Sequence, residues 1–188
     1  ICTTVRGKKQ RKCFEAYLRS LLENELTVDI DGSYLEMPCD RFNTLYFLQH
    51  CHRHFLREGI TLRYICDWAM ILKSADCFDS EFWNECEKND LRPFAESMTR
   101  LAYVVCGVKA QWMSGDVLLQ IQDKMLLDDC FRIADNAIKY GNSLKAHIQM
   151  VKNMLGMRWK YKYFSQRSME IELISSVWSN WVEKNPKI

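Results

Sequence analysis

The stretch QHCHRHFLREGITLRYICDW, from Gln49 to Trp68, contains the end of one predicted helix, a glycine break and the start of a second helix. Apolar side chains recur at helical spacing before the break, which predicts a helix over about residues 41–57. Gly59 favours the end of that helix, and Thr61 can cap the next one over residues 62–73. Because the connection is so short, the two helices are predicted to be antiparallel neighbours.

The same helical spacing continues through most of the chain. Further helices are predicted over about residues 13–26, 79–87, 93–107, 117–125, 128–140, 143–155 and 167–181. Asp31-Gly32 separates two short alternating runs and suits a type I′ hairpin turn, because both central positions of that turn need a positive φ. The predicted fold class is therefore mainly α, a compact multi-helix domain with one short β-hairpin at about residues 27–37.

Composition limits the classes of protein that remain. The 188 residues are 48% hydrophobic and 27% charged, and the formal net charge is +2. A chain of this kind can bury a substantial core, and it lacks the strongly basic balance of a dedicated nucleic-acid binder. We therefore expect residues 13–188 to form a single helical domain and residues 1–12 to be a polar connection or the remnant of a preceding domain.

The cysteines and the apolar runs indicate the compartment. Nine cysteines, an odd number without a CxxC pair, are mostly embedded in apolar helical patterns, where a thiol packs as a small hydrophobic group. This usage is typical of a reducing compartment. The chain also contains no uninterrupted apolar run of about eighteen residues, so no membrane span is expected, and the predicted location is the cytoplasm.

Five polar residues around the glycine break form a candidate site. At 100° per residue, His50, His54 and Arg57 share one stripe of the first helix, whereas Arg63 and Asp67 share one face of the second. The cluster has three possible roles. It could hold zinc through the H-x3-H spacing with Asp67 or an unidentified residue as the third ligand, stabilise the helix pair as a buried hydrogen-bonded seam, or bind phosphate or carboxylate through Arg63, Arg57 and His54. We assign no metal ligand and no catalytic residue.

The segment FNTLYFLQHCHRHFLREGITLRYICDWAMIL resembles the uncharacterised nucleotidyltransferase family of bacterial proteins. The resemblance rests on an H-x3-H helix followed by G-I-x-L-R and D-W-A. The residues that carry it are His50, His54, Gly59, Ile60, Leu62, Arg63, Asp67, Trp68 and Ala69. The hairpin, the segment RWKYKYF and the closing NPKI also look like the distal part of such proteins.

The resemblance implies a helical, substrate-side C-terminal part of a nucleotidyltransferase-like protein that is not catalytic alone. In such enzymes an upstream α/β core combines a Gly-Ser loop with strand carboxylates that hold Mg²⁺ and a nucleoside triphosphate. That core is missing from this chain, so the magnesium ion and the nucleoside triphosphate are expected only with an upstream catalytic domain of the same protein. Asp29 and Asp31 have the spacing of such carboxylates but are interpreted as residues of the hairpin turn.

The expected partners follow from the same resemblance. They are a nucleotide or a phosphorylated acceptor. A membrane and nucleic acid are not expected as partners. The basic and aromatic residues of RWKYKYF could contact nucleic acid, but we favour a segment that lies over the core with its basic residues outward. The alternative function is a non-enzymatic interaction or structural domain in which His50, His54, Arg57, Arg63 and Asp67 form only a stabilising seam.

Overall fold

The structure is a computed structural model that describes residues 5–23, 26–57, 59–113, 115–131, 156–165 and 168–170. Over these residues the chain is mainly α, with seven helices and one two-stranded hairpin, and the predicted fold class is confirmed. The elements in chain order are α1 Val5–Leu22, β1 Leu26–Ile30, β2 Ser33–Met37, α2 Asp40–Arg57, α3 Leu62–Ser74, α4 Ser80–Lys88, α5 Arg92–Cys106, α6 Ile121–Phe131 and α7 Arg158–Phe164.

The chain forms two compact units. Unit 1 takes its described residues from Ile1–His50, Ala75–Arg92 and Arg167–Ile188, and unit 2 takes them from Cys51–Ser74 and Pro93–Gln166. Helix α2 therefore contributes its beginning to unit 1 and its last two turns to unit 2. The single domain expected from the sequence stays a prediction.

The hairpin has the predicted turn. Asp31 and Gly32 have φ values of 51° and 82°, and Ile30 pairs with Ser33 across a two-residue loop. The positive φ at both central positions is the geometry of a type I′ turn, and the backbone N–H of Gly32 donates to the Asp29 carboxylate at 2.8 Å. Every residue of both strands is exposed, so the hairpin is held by its turn and backbone ladder more than by a core.

The helix pair around the glycine break also agrees with the sequence. The first helix, α2, begins at Asp40 and ends at Arg57, and α3 begins at Leu62, each within one residue of its predicted bounds. Gly59 has a φ of 97°, which side chains with a Cβ rarely adopt, and its N–H donates to the His54 carbonyl at 3.0 Å.

Two helix boundaries differ from the prediction. Residues 5–12, expected to be a polar connection, form the first turns of α1, because lysine, arginine and glutamine are good helix formers even without an apolar stripe. Within the described residues, α6 begins at Ile121 and continues without a break to Phe131, so it replaces the predicted helix at 117–125 and the start of the one at 128–140, whose residues 132–140 lie outside the described residues. Its start is fixed by Asp123, whose carboxylate accepts the backbone N–H of Gln120 at 2.8 Å, a capping contact from the third helical position. The predicted helices over 143–155 and 167–181 lie wholly or mostly outside the described residues.

The buried core of unit 2 is strongly aromatic. The ring of Phe55 lies 5.1 Å from that of Phe164, 5.4 Å from that of Phe94 and 5.7 Å from that of Trp159, between centroids. These rings come from α2, α5 and α7, so the aromatic cluster joins three helices that are distant in sequence. Also in unit 2, the Trp68 indole N–H donates to the Thr99 hydroxyl at 3.0 Å, so this large buried ring has its polar atom paired.

Asp79 is the N-cap of α4, and replacing it with alanine should lower the free energy of unfolding by about 1 kcal/mol. Its carboxylate accepts the Phe82 N–H at 2.9 Å, and this hydrogen bond is the main cause that lowers the pKa of Asp79. The depressed pKa means that the stabilisation is present above the unfolded pKa, near 3.8, and is lost as the pH falls through the lower folded value. Urea denaturation of wild type, Asp79→Ala and Asp79→Asn at several pH values measures this effect.

Asparagine is the matched control, because its side-chain oxygen can still cap the helix without a charge. We expect Asp79→Asn to retain most of the stability and to lose the acid dependence attributable to this position. Equal losses for the two variants would contradict the capping role and would point instead to the ion pair between Asp79 and Arg41.

Candidate functional site

A basic segment runs from the last turns of α2 through the connection to the start of α3. Residues 50–63 include three arginines, Arg53, Arg57 and Arg63, against one glutamate, and all three arginines are exposed. His54 is half-buried, and its ring stacks against that of Tyr64 at a centroid distance of 6.5 Å. The segment is therefore locally positive in a chain whose overall charge is close to balanced.

Arg63 and Asp67 form the predicted pair within α3. The Arg63 Nε lies 3.7 Å from the Asp67 Oδ2, and 85% of the Arg63 side chain is exposed against 47% of the Asp67 side chain. A surface ion pair at this distance and exposure stabilises a helix by no more than about 0.5 kcal/mol. The Arg63 guanidinium can therefore leave Asp67 for a stronger acceptor at little cost in stability.

The two histidines predicted to share a stripe with Arg57 differ in burial. His50 is exposed and stacks on Tyr46 at a centroid distance of 6.4 Å, whereas His54 is half-buried. Arg57 is also exposed. The structure thus leaves three of the five predicted site residues, His50, Arg57 and Arg63, open to solvent, and their role in binding stays a prediction.

The buried histidine of this stretch is His52, which is not among the predicted site residues. Its Nε2 lies 2.7 Å from the Phe164 carbonyl oxygen, and its ring lies 5.1 Å from that of Phe94. His52 follows Leu48 by four residues, so it belongs to the apolar stripe of α2. That spacing was a signal in the sequence that His52, rather than its neighbours, faces the core.

A buried ion pair was also missed. The Lys160 Nζ lies 2.6 Å from the Asp129 Oδ2 and donates to the Phe55 carbonyl at 2.9 Å, and Lys160 is only 1% exposed. The same ammonium lies 4.6 Å from the Phe55 ring centroid, at the edge of the aromatic cluster. The expectation that the basic residues of RWKYKYF face outward is confirmed for Arg158 and Lys162 and is wrong for Lys160. Lys160 lies on the buried side of α7 because its ammonium pairs with Asp129 and because Phe164, on the same side, packs in the core.

Gly59 completes the surroundings of the buried pair. A Cβ built on this residue would lie 2.8 Å from the Asp129 Oδ2 and 3.6 Å from the Lys160 Nζ. A backbone that approaches a buried carboxylate this closely leaves no space for a methyl group. Gly59, the glycine of the G-I-x-L-R motif, therefore leaves space for the ion pair as well as allowing the chain to turn after the end of α2.

Unit 1 contains a pocket of different character. Its volume is about 470 Å³, and its lining residues are Leu21, Leu26, Cys39, Asp40, Arg41, Asp76, Cys77 and Glu81. Three carboxylates against one arginine give the lining a formal charge of −2, and Arg41 is already paired with Asp79 and Glu81. This pocket is therefore a poor site for phosphate, and it shares no residue with the predicted cluster.

The hairpin acids do not form a metal site. Asp29 caps the turn by accepting the Gly32 N–H, and Asp31 occupies the turn itself with a left-handed φ. More widely, no group of three or more His, Cys, Asp or Glu side chains among the described residues could hold a metal ion. None of the helices in the described ranges has the length and apolar composition needed to cross a membrane.

Comparison with known proteins gives one family. The sequence model of a family described as "Uncharacterised nucleotidyltransferase" matches residues 7–107, more than half of the 188 residues. The match covers α1 to α5, including the basic segment, and does not include the RWKYKYF and NPKI segments that also suggested the resemblance. No match to the chain was found among curated proteins or solved structures.

Proposed function

The chain belongs to the uncharacterised nucleotidyltransferase family, and we propose that it is the helical substrate-side part of such a protein, with Arg63 as its main phosphate contact. Arg57 and His54 supply further positive charge and hydrogen-bond donors, and His50 lies one turn earlier on α2. The Asp67 carboxylate pairs with the Arg63 guanidinium until an anionic group of the ligand takes the place of the carboxylate. The ligand class is a nucleotide or a phosphorylated acceptor.

The observation that carries this proposal is the exposure of Arg63 in a weak ion pair. Its planar guanidinium can form two parallel hydrogen bonds with phosphate oxygens, a geometry that a lysine cannot provide. Because the pair with Asp67 is long and solvated, little stability is lost when the guanidinium turns to a ligand. Arg57, exposed in the last turn of α2, adds a second cation in the same basic segment.

The proposal assigns no magnesium ion to this chain. Mg²⁺ prefers several oxygen ligands, usually carboxylates and the phosphates of its substrate, and the paired acids Asp29 and Asp31 are used in the hairpin turn. We therefore assign this chain a contact with phosphate and no metal-dependent step. Magnesium and the nucleoside triphosphate belong, in this proposal, to an upstream catalytic domain of the same protein.

Replacing Arg63 with alanine should weaken phosphate binding about 10- to 100-fold, since a charged hydrogen bond contributes roughly 1.5–3 kcal/mol. The measurement is the unfolding midpoint during titration with ATP and, separately, with inorganic tripolyphosphate, because a ligand that binds the native state raises it by mass action. Equal responses to both probes would assign the contact to the phosphates, and a larger response to ATP would add a contact to the nucleoside.

Arg92 provides the matched control. It forms a similar surface ion pair, 3.6 Å from Glu87, but lies outside the basic segment. Arg92 also lies over the Trp83 ring, 5.6 Å from its centroid, so Arg92→Ala should lose slightly more stability than Arg63→Ala, whereas only Arg63→Ala should lose the ligand response. A wild-type chain that responds to neither probe, or an Arg63→Ala variant that responds fully, would contradict the proposal.

The second candidate is a non-enzymatic interaction domain, and the hairpin favours it. Leu26, Val28 and Ile30 alternate along β1, and the register places Val28 opposite Leu35 and Leu26 opposite Met37. One face of the hairpin is therefore almost entirely apolar, yet all these residues are exposed. In this alternative the basic segment has only a structural role, and the absence of any response to ATP or tripolyphosphate would favour it.

A further inference from the structure

Two cysteines on different helices of unit 2 lie side by side at the surface. The Cys106 Sγ lies 3.9 Å from the Cys66 Sγ, within hydrogen-bond distance for sulfur, although the residues are 40 positions apart. Cys66 is an exposed residue of α3, and Cys106, the last residue of α5, is half-buried. A disulfide has an S–S distance of about 2.05 Å, so the two sulfurs must approach each other by roughly 1.9 Å for the bond to form.

The other described cysteines lie in different surroundings. Burial raises the pKa of the Cys51, Cys86 and Cys130 thiols to about 12, which leaves almost no thiolate near neutral pH. Cys77 is buried beside the Thr44 hydroxyl, and Cys13 is exposed. Among the described cysteines, only Cys66 and Cys106 combine an accessible sulfur with a second sulfur in contact.

The surroundings of the pair suit reaction with a small reagent. Cys66 is the more exposed of the two, so it is the thiol that a reagent reaches first. The pKa of Cys106 is raised by partial burial and by the neighbouring Cys66, whereas the charge of Lys73 acts in the opposite direction. Gly107 follows with a positive φ and open space around it, so the end of α5 can adjust.

We infer that Cys66 and Cys106 form a redox-active dithiol that low-molecular-weight disulfides such as glutathione disulfide convert to an intramolecular disulfide. The Cys66 thiolate attacks one sulfur of the reagent, the reagent's S–S bond breaks, and one thiol leaves after taking up a proton. The Cys106 thiolate then attacks the Cys66 sulfur and releases the second thiol. The protein loses two electrons and two protons, and the reagent gains both.

The disulfide ties α3 to the end of α5. Cys66 is adjacent to Asp67 and three residues from Arg63, so oxidation fixes the helix that carries both residues. In a reducing compartment the pair stays as two thiols, and it closes when the ratio of disulfide to thiol rises. The inference rests on the geometry of the two sulfurs and does not depend on phosphate binding.

The test uses the full chain, fully reduced and then exposed to glutathione disulfide at neutral pH. After unreacted thiols are blocked, trypsin should release YICDWAMILK, residues 64–73, joined to LAYVVCGVK, residues 101–109, as one linked species that separates on reduction. In Cys106→Ser the second step is blocked, so Cys66 should accumulate as the glutathione mixed disulfide. The oxidised wild type should also unfold at a higher temperature than the reduced chain.

Cys13 is the internal reference, because it is exposed and, among the described residues, only Cys66 and Cys106 place their sulfurs in contact, so no second thiol is positioned to displace glutathione from Cys13. We expect Cys13 to remain glutathionylated in wild type and variants alike, and Cys13→Ser to leave the linked peptides unchanged. A wild-type chain in which Cys13 reacts while Cys66 and Cys106 stay free, or both stop at separate mixed disulfides, would overturn the inference.

Discussion

Replacing Gly59 with alanine should lower the free energy of unfolding by about 3–5 kcal/mol, one of the largest effects expected from any single methyl group in this chain. Two causes combine at this position. The φ of 97° is strained for any residue with a Cβ, and the new methyl group would lie 2.8 Å from the Asp129 Oδ2. Since Asp129 is paired with buried Lys160, it cannot move away without weakening that ion pair. Urea denaturation followed by circular dichroism measures the loss.

Gly107 separates the two causes. It has a positive φ of 68°, but no atom lies within 4 Å of a Cβ built on it. Gly107→Ala should therefore lower the free energy of unfolding only through backbone strain, by about 1 kcal/mol. The difference between the two variants measures the steric contact with Asp129 together with the greater backbone strain at the φ of Gly59. If both substitutions lowered the free energy of unfolding equally, the close approach of Gly59 to Asp129 would have no energetic consequence. The interpretation that Gly59 is needed to leave space for the ion pair would then be wrong.

Local signals made the helix pair and the hairpin predictable. Gly59 and Thr61 defined the connection from neighbouring residues alone, and Asp31-Gly32 defined the turn because few other dipeptides tolerate two positive φ values. The family resemblance was recognised from the same local motif, and the match over residues 7–107 supports it. Each of these features depends on residues within one or two turns of each other.

Features that depend on distant residues were not predictable in the same way. Lys160 lies 31 positions from Asp129 and 105 from Phe55, and no periodicity in the sequence connects them. A lysine in a basic and aromatic segment is ordinarily exposed, so composition favoured the wrong orientation. For α6 the deciding contact was a capping hydrogen bond at Asp123 that apolar spacing does not reveal.

The candidate site falls between these cases. The spacing of Arg63 and Asp67 predicted their ion pair, because residues four apart on a helix are neighbours. It did not predict that His50 and Arg57 would be exposed, since a stripe on a helix does not say which elements cover it. Burial is a property of the whole fold: the spacing from Leu48 placed His52 on the apolar stripe of α2, but its contact with the Phe164 carbonyl depends on the packing of α7, which the spacing does not reveal.

Replacing Lys160 with methionine should cost about 3–5 kcal/mol of stability, because it leaves the Asp129 carboxylate buried without its cation. The Phe55 carbonyl also loses a donor, although methionine fills much of the same volume within the aromatic cluster. Lys162→Met is the matched control on the same helix, and its exposed side chain predicts a change within about 0.5 kcal/mol. Urea midpoints for both variants at pH 7 make the comparison.

The double variant Lys160→Met/Asp129→Leu shows what the buried pair contributes. Removing both charges eliminates the unpaired carboxylate, so the double variant should recover most of the stability lost in Lys160→Met. Full recovery would mean that the pair contributes little net stability over apolar packing. A double variant no more stable than Lys160→Met would show a net contribution from the pair itself. A Lys160→Met loss no larger than that of Lys162→Met would contradict its burial.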